Sequence, residues 1–341
     1  MVRQEAGAAL TMRLILNNDN RDPSVNLALE EYCVRNLDMV EPFLLFYIND
    51  PSIIIGKHQN TLEEINLPYV RENGIRVVRR ISGGGAVYHD HGNLNFSFIT
   101  RFEQGQMLRF EEFTKPVIEA LAELGVQAEL GGRNDITVQG RKISGNAQFT
   151  TVRSMFSHGT LLFDSELDQV TEALNVKMDK IASKGVKSVR SRVANISEFL
   201  SRPITMERFR KHLIRSIFHG IDPVPVYRLG EEEWEQVHHL ADTVYRTWDW
   251  NYGMSPRFNI QRVHRFPIGE VDARIDVHEG RIQAIRIYGD FLGSGDLAGL
   301  EKRLTGVPYD PDQLARAVAK TDVSAVFGGL DRSEFIKFLH D

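Results

Sequence analysis

The 341-residue chain has a single cysteine, Cys33. An intramolecular disulfide is therefore excluded, and a reducing cytoplasmic setting is expected. No apolar run approaches the ~18–20 residues needed to span a bilayer, so no membrane partner is expected. Arg3 is not followed by an apolar stretch of the kind that marks a secretory signal. A basic excess is also lacking: 41 Lys and Arg stand against 46 Asp and Glu, for a formal charge of −5. A dedicated nucleic-acid binder carries the opposite balance, so nucleic acid is not an expected partner. Internal repeats and low-complexity tracts are missing as well, which excludes solenoid and tail-like readings. What remains is ordinary for a folded protein, with 42% hydrophobic and 26% charged residues over a length that predicts two domains.

Residues 1–11 carry no periodic pattern and read as a leader outside the fold, a tag remnant or an upstream start, and Met12 opens the first strand-like run, Met12–Leu16. Asp22 and Pro23 form an N-cap and first-turn pair. Val25, Ala28, Leu29, Tyr32 and Cys33 then fall on one helical face. Phe43–Ile48 and Ser52–Ile55, separated by Asn49-Asp50-Pro51, predict a pair of adjacent strands. Further strands are predicted at 75–78, 94–98, 136–138 and 160–163. In the second of these, Leu94, Phe96 and Phe98 alternate with Asn95 and Ser97. Helices are predicted at 113–124, with Gly125 as the stop, at 166–175 and 205–218, and from Trp234 toward Trp250. Asn251–Pro256 is rich in turn formers and predicts a linker. Beyond it, Ile275–Val277 and Ile285–Ile287 frame a hairpin with Gly280 in the turn. Helices follow at 296–304, 311–320 and 334–339, which together make a small α+β domain.

Three segments carry chemistry. Arg79 to Asp90 reads R-R-I-S-G-G-G-A-V-Y-H-D. Its three glycines allow close approach to the main chain, and two arginines beside them suit phosphate or carboxylate. It is neither a Walker A loop nor a dinucleotide-binding turn. Gly131 to Gly145 reads G-G-R-N-D-I-T-V-Q-G-R-K-I-S-G, a hairpin turning at Gln139-Gly140. The hairpin brings Asp135 and Lys142 to one spot, as a carboxylate for Mg²⁺ and an ammonium for an oxyanion, or as a plain cross-strand ion pair. Lys184 to Arg192 holds Lys184, Lys187, Arg190 and Arg192 among small residues, a basic loop that favours an anionic partner. Convergence of the three would form a polyphosphate pocket inside an acidic protein.

These residues resemble the lipoate–protein ligase family, which shares a catalytic fold with biotin–protein ligases and octanoyltransferases. The resemblance rests on Asn26–Glu31, Gly56–Asn60, Arg79–Phe98, Gly132–Ile136, Arg141–Gln148, His158–Leu162 and Lys184–Ile196, in the family's order, with Trp248–Gly253 resembling the junction to a C-terminal domain. It implies an α+β protein: a large catalytic domain of mixed β-sheets flanked by helices over 12–247, a linker at 248–256 and a small C-terminal accessory domain at 257–341. It implies ATP, Mg²⁺ and lipoate as cofactor and substrates, with lipoyl-AMP as intermediate. The acceptors would be lipoyl domains of 2-oxoacid dehydrogenase acyltransferases and the glycine cleavage H protein, and the ligase would be a monomer. Lys142 would be the catalytic residue, bridging the adenylate phosphate and the acyl carbonyl. Arg79, Arg80, Gly83, Gly84, Gly85, Ala86, Val87, Tyr88, Asn134, Asp135, Lys184, Lys187 and Arg190 would bind ATP or the adenylate. Arg80, Lys142 and His158 would contact lipoate, and Asp135 would ligate Mg²⁺.

The rival activities are separable. An octanoyltransferase or lipoyl amidotransferase of this fold needs a cysteine nucleophile. Cys33 lies on the apolar face of the first predicted helix, which favours a structural role. Biotin ligation fits less well, because Ser82-Gly83-Gly84-Gly85 has no arginine inside it. A non-catalytic lipoate carrier would not require the intact Lys142.

Overall fold

The computed structural model describes residues 12–103, 105–174, 192–253, 258–278 and 280–340. Among the described residues eleven strands precede the C-terminal region: β1 (Arg13–Ile15), β2 (Phe43–Tyr47), β3 (Ser52–Ile55), β4 (Arg76–Arg79), β5 (Val87–His89), β6 (Asn93–Arg101), β7 (Glu129–Gly131), β8 (Asp135–Val138), β9 (Arg141–Thr150), β10 (Ser154–Leu162) and β11 (Val226–Tyr227). Eight of them form one mixed sheet in the order β11-β1-β2-β6-β10-β9-β8-β7. The β11–β1 and β1–β2 pairs are parallel, and β2, β6, β10, β9, β8 and β7 follow antiparallel. A second sheet has the order β4-β3-β5.

The alternation in β6 explains the layering. Leu94, Phe96 and Phe98 bury one face of the large sheet in a core shared with Phe113, Val117 and Leu121 of the helix Phe110–Glu123 and with Phe209 and Leu213 of the helix Met206–Ile217. On the other face Asn95 and Ser97 are buried too. They are covered because the small sheet and helix α1 (Pro23–Asn36) lie on that side. α1 is capped as its sequence predicts, with Ser24 N donating to Asp22 Oδ1 at 2.9 Å. Its apolar face packs Val25, Ala28, Leu29 and Cys33 against β2 and the small sheet.

The expected β2–β3 pairing does not form. β2 lies between β1 and β6 in the large sheet, whereas β3 pairs with β4 and β5 in the small one. Asn49-Asp50-Pro51 is a crossing between layers and not a hairpin turn. The Asn49 side chain is fully buried and hydrogen-bonded to Asn26 and His89, and Arg76 N donates to Pro51 O. One tight turn matches expectation: Gln139 and Gly140 both adopt positive φ, 52° and 74°, as the two-residue β8–β9 hairpin requires.

The C-terminal region packs about its own core. Strands β12 (Ile260–Phe266), β13 (Gly269–His278) and β14 (Arg281–Gly289) form an antiparallel sheet. Helices Leu297–Leu304, Pro311–Ala317, Val323–Phe327 and Arg332–His340 accompany it, with Leu300, Leu314, Phe327 and Phe335 fully buried. β12 and the helix at 323–327 were not predicted. The first part of the expected linker is ordered: Trp248–Asn251 is helical and Asn251 is buried, while 254–257 lie outside the described residues.

Candidate functional site

A cleft lies between the two sheets of the larger domain. It encloses about 590 Å³ when its open mouth is included. The large sheet contributes Tyr47, Asn95, Lys142, His158 and Thr160, and the small sheet contributes Ile54, Val87 and His89. Strand periodicity decides which residues face it. In β5, Val87 and His89 point inward, whereas Tyr88 joins Ile53, Ile55 and Val77 on the far face, where burial pushes its phenol up to about 12.

Lys142 and Asp135 meet at the mouth. The hairpin register, with a bulge between Ile136 and Thr137, brings Lys142 Nζ to 2.8 Å from Asp135 Oδ1. Both side chains are about one-third exposed, so the pair itself is weak and exchangeable. Lys142 stands over Gly145: a Cβ on that glycine would lie 2.8 Å from Nζ. The backbone of Lys142 is fixed from outside the hairpin. Its N–H donates to Arg192 O at 2.7 Å, and its carbonyl accepts from Ala194 N at 2.9 Å. The end of the basic run is therefore attached at Lys142, although Lys184, Lys187 and Arg190 themselves lie outside the described residues. Asn134 lines the cleft, locked by exchange of side-chain donors with the carbonyls of Asn146 and itself: Asn134 Nδ2 to Asn146 O, and Asn146 Nδ2 to Asn134 O at 2.9 Å.

The two arginines divide. Arg79 is 1% exposed and its guanidinium is fully engaged by the protein. It donates to Trp250 O, to the carbonyls of Gly56, Lys57 and Gln59, to Thr61 Oγ1 and to Asn251 O. The expectation that it binds an anion is corrected by that geometry, because no N–H remains for a ligand. It braces the loop at 56–61 against the helix at 248–251. Arg80 does line the cleft. Its Nε donates to Ser82 Oγ, Nη1 to Ile54 O, and Nη2 to Gly83 O and Gly85 O, leaving one of five N–H groups uncommitted. Burial lowers both guanidinium groups to about 10, so both stay cationic at neutral pH.

The glycine loop curls around Arg80. Gly84 has φ of +91°, a conformation that favours glycine. Gly84, Gly85, Ala86 and Val87 line the cleft, whereas Gly83 faces the C-terminal domain, where a Cβ would stand 2.5 Å from Phe291 O. That domain rests on the rim of the site: His58 O accepts from Gly289 N at 2.8 Å, and the His58 and Phe291 rings stack at 4.9 Å.

His158, expected to contact lipoate, lines the cleft, whereas the wall residues Tyr47, His89 and Asn95 carry no role in the sequence reading. His158 Nδ1 is 2.8 Å from Glu30 Oε2, and its Nε2 is 2.8 Å from Ser82 Oγ. This buried chain ties α1 through His158 to Ser82 and Arg80. Ser82 Oγ accepts from Arg80 Nε–H and also meets His158 Nε2, while His158 Nδ1 faces the Glu30 carboxylate. Tyr47, His89 and Asn95 complete the interior. The signal for Glu30, which holds His158, was a charged residue inside α1, the helix that carries the apolar face. Cys33 does not line the cleft. It is fully buried, and burial beside Glu233 and Glu30 pushes its thiol far up, away from thiolate chemistry.

For Mg²⁺ the donor chemistry is sparse but sufficient. Among the described residues no three His, Cys, Asp or Glu side chains cluster to hold a metal. A single carboxylate such as Asp135 fits an ion that takes most of its other ligands from substrate phosphates and water. Among the described residues no helix is long and apolar enough to cross a membrane.

Comparison with known proteins agrees over both domains. Residues 22–218 match the family described as the lipoyl protein ligase A/B catalytic domain, and residues 255–339 match the bacterial lipoate protein ligase C-terminus. The chain is 54% identical over 330 residues to a lipoate-protein ligase of Bacillus subtilis (strain 168), covering 96% of this chain and 100% of the relative. Among solved structures, P. falciparum LipL1 in complex with lipoate is similar with a TM-score of 0.76 and 25% identity, over 96% of this chain and 97% of that one. A lipoate-protein ligase A bound with ATP is similar with a TM-score of 0.63 and 31% identity, over 72% of this chain and 100% of that one.

Proposed function

The chain belongs to the lipoyl protein ligase A/B family, and from that premise we propose that it is an ATP-dependent lipoate–protein ligase acting in the cytoplasm as a monomer. Lipoate and MgATP give lipoyl-AMP and pyrophosphate, and the lipoyl group passes to a lysine of a lipoyl domain. The acceptors are the acyltransferase subunits of 2-oxoacid dehydrogenases and the glycine cleavage H protein. The observation that carries this reading is the position of Lys142: its ammonium stands at the mouth of a cleft between two sheets, with its backbone fixed and its counter-charge, Asp135, weakly held.

In the first step a lipoate carboxylate oxygen bonds to the α-phosphorus while the bond to pyrophosphate breaks. Charge develops on the phosphoryl oxygens, and a fixed cation there lowers the barrier. Lys142 is that cation. Its one-third-exposed pair with Asp135 yields to phosphate at little cost. Asp135 is the residue that would hold Mg²⁺, which neutralises phosphate charge when bound. Arg80 presents one N–H to the acid, and Gly84, Gly85, Ala86 and Val87 bring main chain to the nucleotide, with Asn134 beside them. Lys184, Lys187 and Arg190 add positive charge from the run that ends at Arg192.

In the second step the acceptor lysine nitrogen bonds to the acyl carbon, the bond from that carbon to the AMP oxygen breaks, and the nitrogen loses a proton. Lys142 polarises the carbonyl oxygen during attack. No thiol takes part, because Cys33 is sealed in the core. The test compares wild type with Lys142→Ala for pyrophosphate release and for transfer to an apo lipoyl domain. The expected result is loss of both, by at least ~10³-fold, in a folded variant. Pyrophosphate release near the wild-type rate would refute the role.

A further inference from the structure

One buried polar atom in the cleft is left without a partner in a way that fixes its chemistry. His89 is 3% exposed, lines the cleft, and its Nε2 has no hydrogen-bond partner among the described residues. Its Nδ1 is 3.0 Å from Asn49 Nδ2.

A chain of asparagines determines which nitrogen carries the proton. Asn20 O is a main-chain carbonyl and can only accept, and it faces Asn26 Nδ2 at 2.9 Å. That atom is therefore the amide nitrogen of Asn26. The same nitrogen is 2.9 Å from Asn49, so the Asn49 atom facing it is the oxygen. The other end of Asn49, the NH₂ group, then faces His89 Nδ1. A donor there requires a lone pair on Nδ1. The ring is neutral, held down to about 3 by burial and by Arg80 and His158 nearby. A neutral imidazole with a lone pair on Nδ1 carries its proton on Nε2. His89 Nε2–H is thus a buried, unpaired donor in the wall of the cleft, at a site where such groups normally find a partner.

Its place along the cleft says which part of a ligand it meets. Lys142 is on β9. Asn49, which holds His89, follows β2, and Tyr47 of β2 and Asn95 of β6 line the same end. From β9 across β10 and β6 to β2 are three interstrand spacings, about 14 Å. An extended eight-carbon acid, at about 1.2 Å per chain bond, is roughly 10 Å long. With its carboxyl at Lys142, its far end reaches the neighbourhood of His89.

We propose that His89 is a specificity-determining residue whose Nε2–H donates to a ring sulfur at the distal end of the acyl substrate, so that the cleft favours a dithiolane acid over a plain fatty acid of the same length. This rests on the lipoate-ligase reading above. A ring sulfur is a weak acceptor, so the bond itself adds modest affinity. The larger effect is on the rival: an alkyl chain filling the same space leaves the N–H dry and unpaired. Sites built around a donor reject the ligand that lacks the acceptor. Asn26 and Asn49 are positioning residues, since they set the tautomer and do not touch the substrate.

The test has two readouts on the full chain. Nitrogen-15 NMR of the histidines in the ligand-free protein should show His89 as the Nε2–H tautomer near neutral pH, and Asn26→Leu should weaken that preference. Separately, kcat/KM for pyrophosphate release is compared between lipoate and octanoate. Wild type should favour lipoate by about tenfold. His89→Phe should bring the ratio close to one, mainly through KM, and His89→Gln, which restores a donor, should recover part of it. The Gln variant and the NMR readout keep the test open if the Phe variant does not fold. A Nδ1–H tautomer, a wild type without preference, or an unchanged ratio in a folded His89→Phe overturns this inference alone. No pyrophosphate from either acid overturns the functional reading and this inference with it.

Discussion

Replacing Gly145 by alanine tests whether the position of Lys142, and not merely its presence, sustains the reaction. A Cβ at residue 145 would stand 2.8 Å from Lys142 Nζ, 3.0 Å from Cε and 3.9 Å from Asp135 Oδ1. Ordinary contact is about 3.5–4.0 Å, so the ammonium must move by roughly 1 Å. The backbone offers little relief, because the N–H and carbonyl of Lys142 are both tied to the segment at 192–194. The displaced group is the end of a flexible, partly exposed side chain, so stability should change by less than about 1 kcal/mol. Catalysis should change far more. A misplacement of about 1 Å can cost on the order of 10²-fold, or ~2.7 kcal/mol of barrier. The assay is pyrophosphate release with lipoate and ATP, run beside a thermal melt. A rate within threefold of wild type at unchanged Tm would refute the reasoning.

Three further outcomes follow from the structure. Cys33→Ser should leave lipoyl transfer within a few-fold of wild type in the folded variant, read by mass spectrometry of the acceptor. Complete loss in a folded protein would restore a thioester route. Arg79→Met removes a cation from six protein acceptors and should cost ~3–5 kcal/mol, lowering Tm by about 10 °C, while a shift under about 2 °C would contradict its bracing role. His58 and His89 are held neutral to about 3, against 6.5 when unfolded. Their contribution is full above about 6.5 and is lost on acidification toward 3, so urea midpoints should fall between pH 7 and pH 5 by the equivalent of about 2 kcal/mol per histidine. A flat midpoint across that range would count against it.

The local signals in the sequence were read well where one short stretch determined the outcome. The Asp22-Pro23 start of α1, the Gln139-Gly140 turn and the alternation in β6 all act within a few residues. The meeting of Asp135 and Lys142 followed from that same hairpin. What could not be read was which layer a strand joins. Asn49-Asp50-Pro51 resembles a turn, and only the buried bonds of Asn49 reveal a crossing between sheets. That crossing creates the cleft, so its walls were hidden with it. The polar residues Asn95 and Ser97 look like a solvent face until a second sheet covers them. Arg79 and Arg80 are adjacent and chemically alike, yet strand alternation turns one to a structural brace and the other to the cleft. His89 carried no signal, because its meaning depends on three asparagines brought together only by the fold.

The central claim is tested most directly by incubating the protein with lipoate, MgATP and an apo lipoyl domain, and weighing the acceptor. The account predicts the mass of one added lipoyl group, present only when ATP is supplied. No lipoyl adduct with ATP, together with ATP-independent octanoyl transfer from acyl carrier protein, would contradict it.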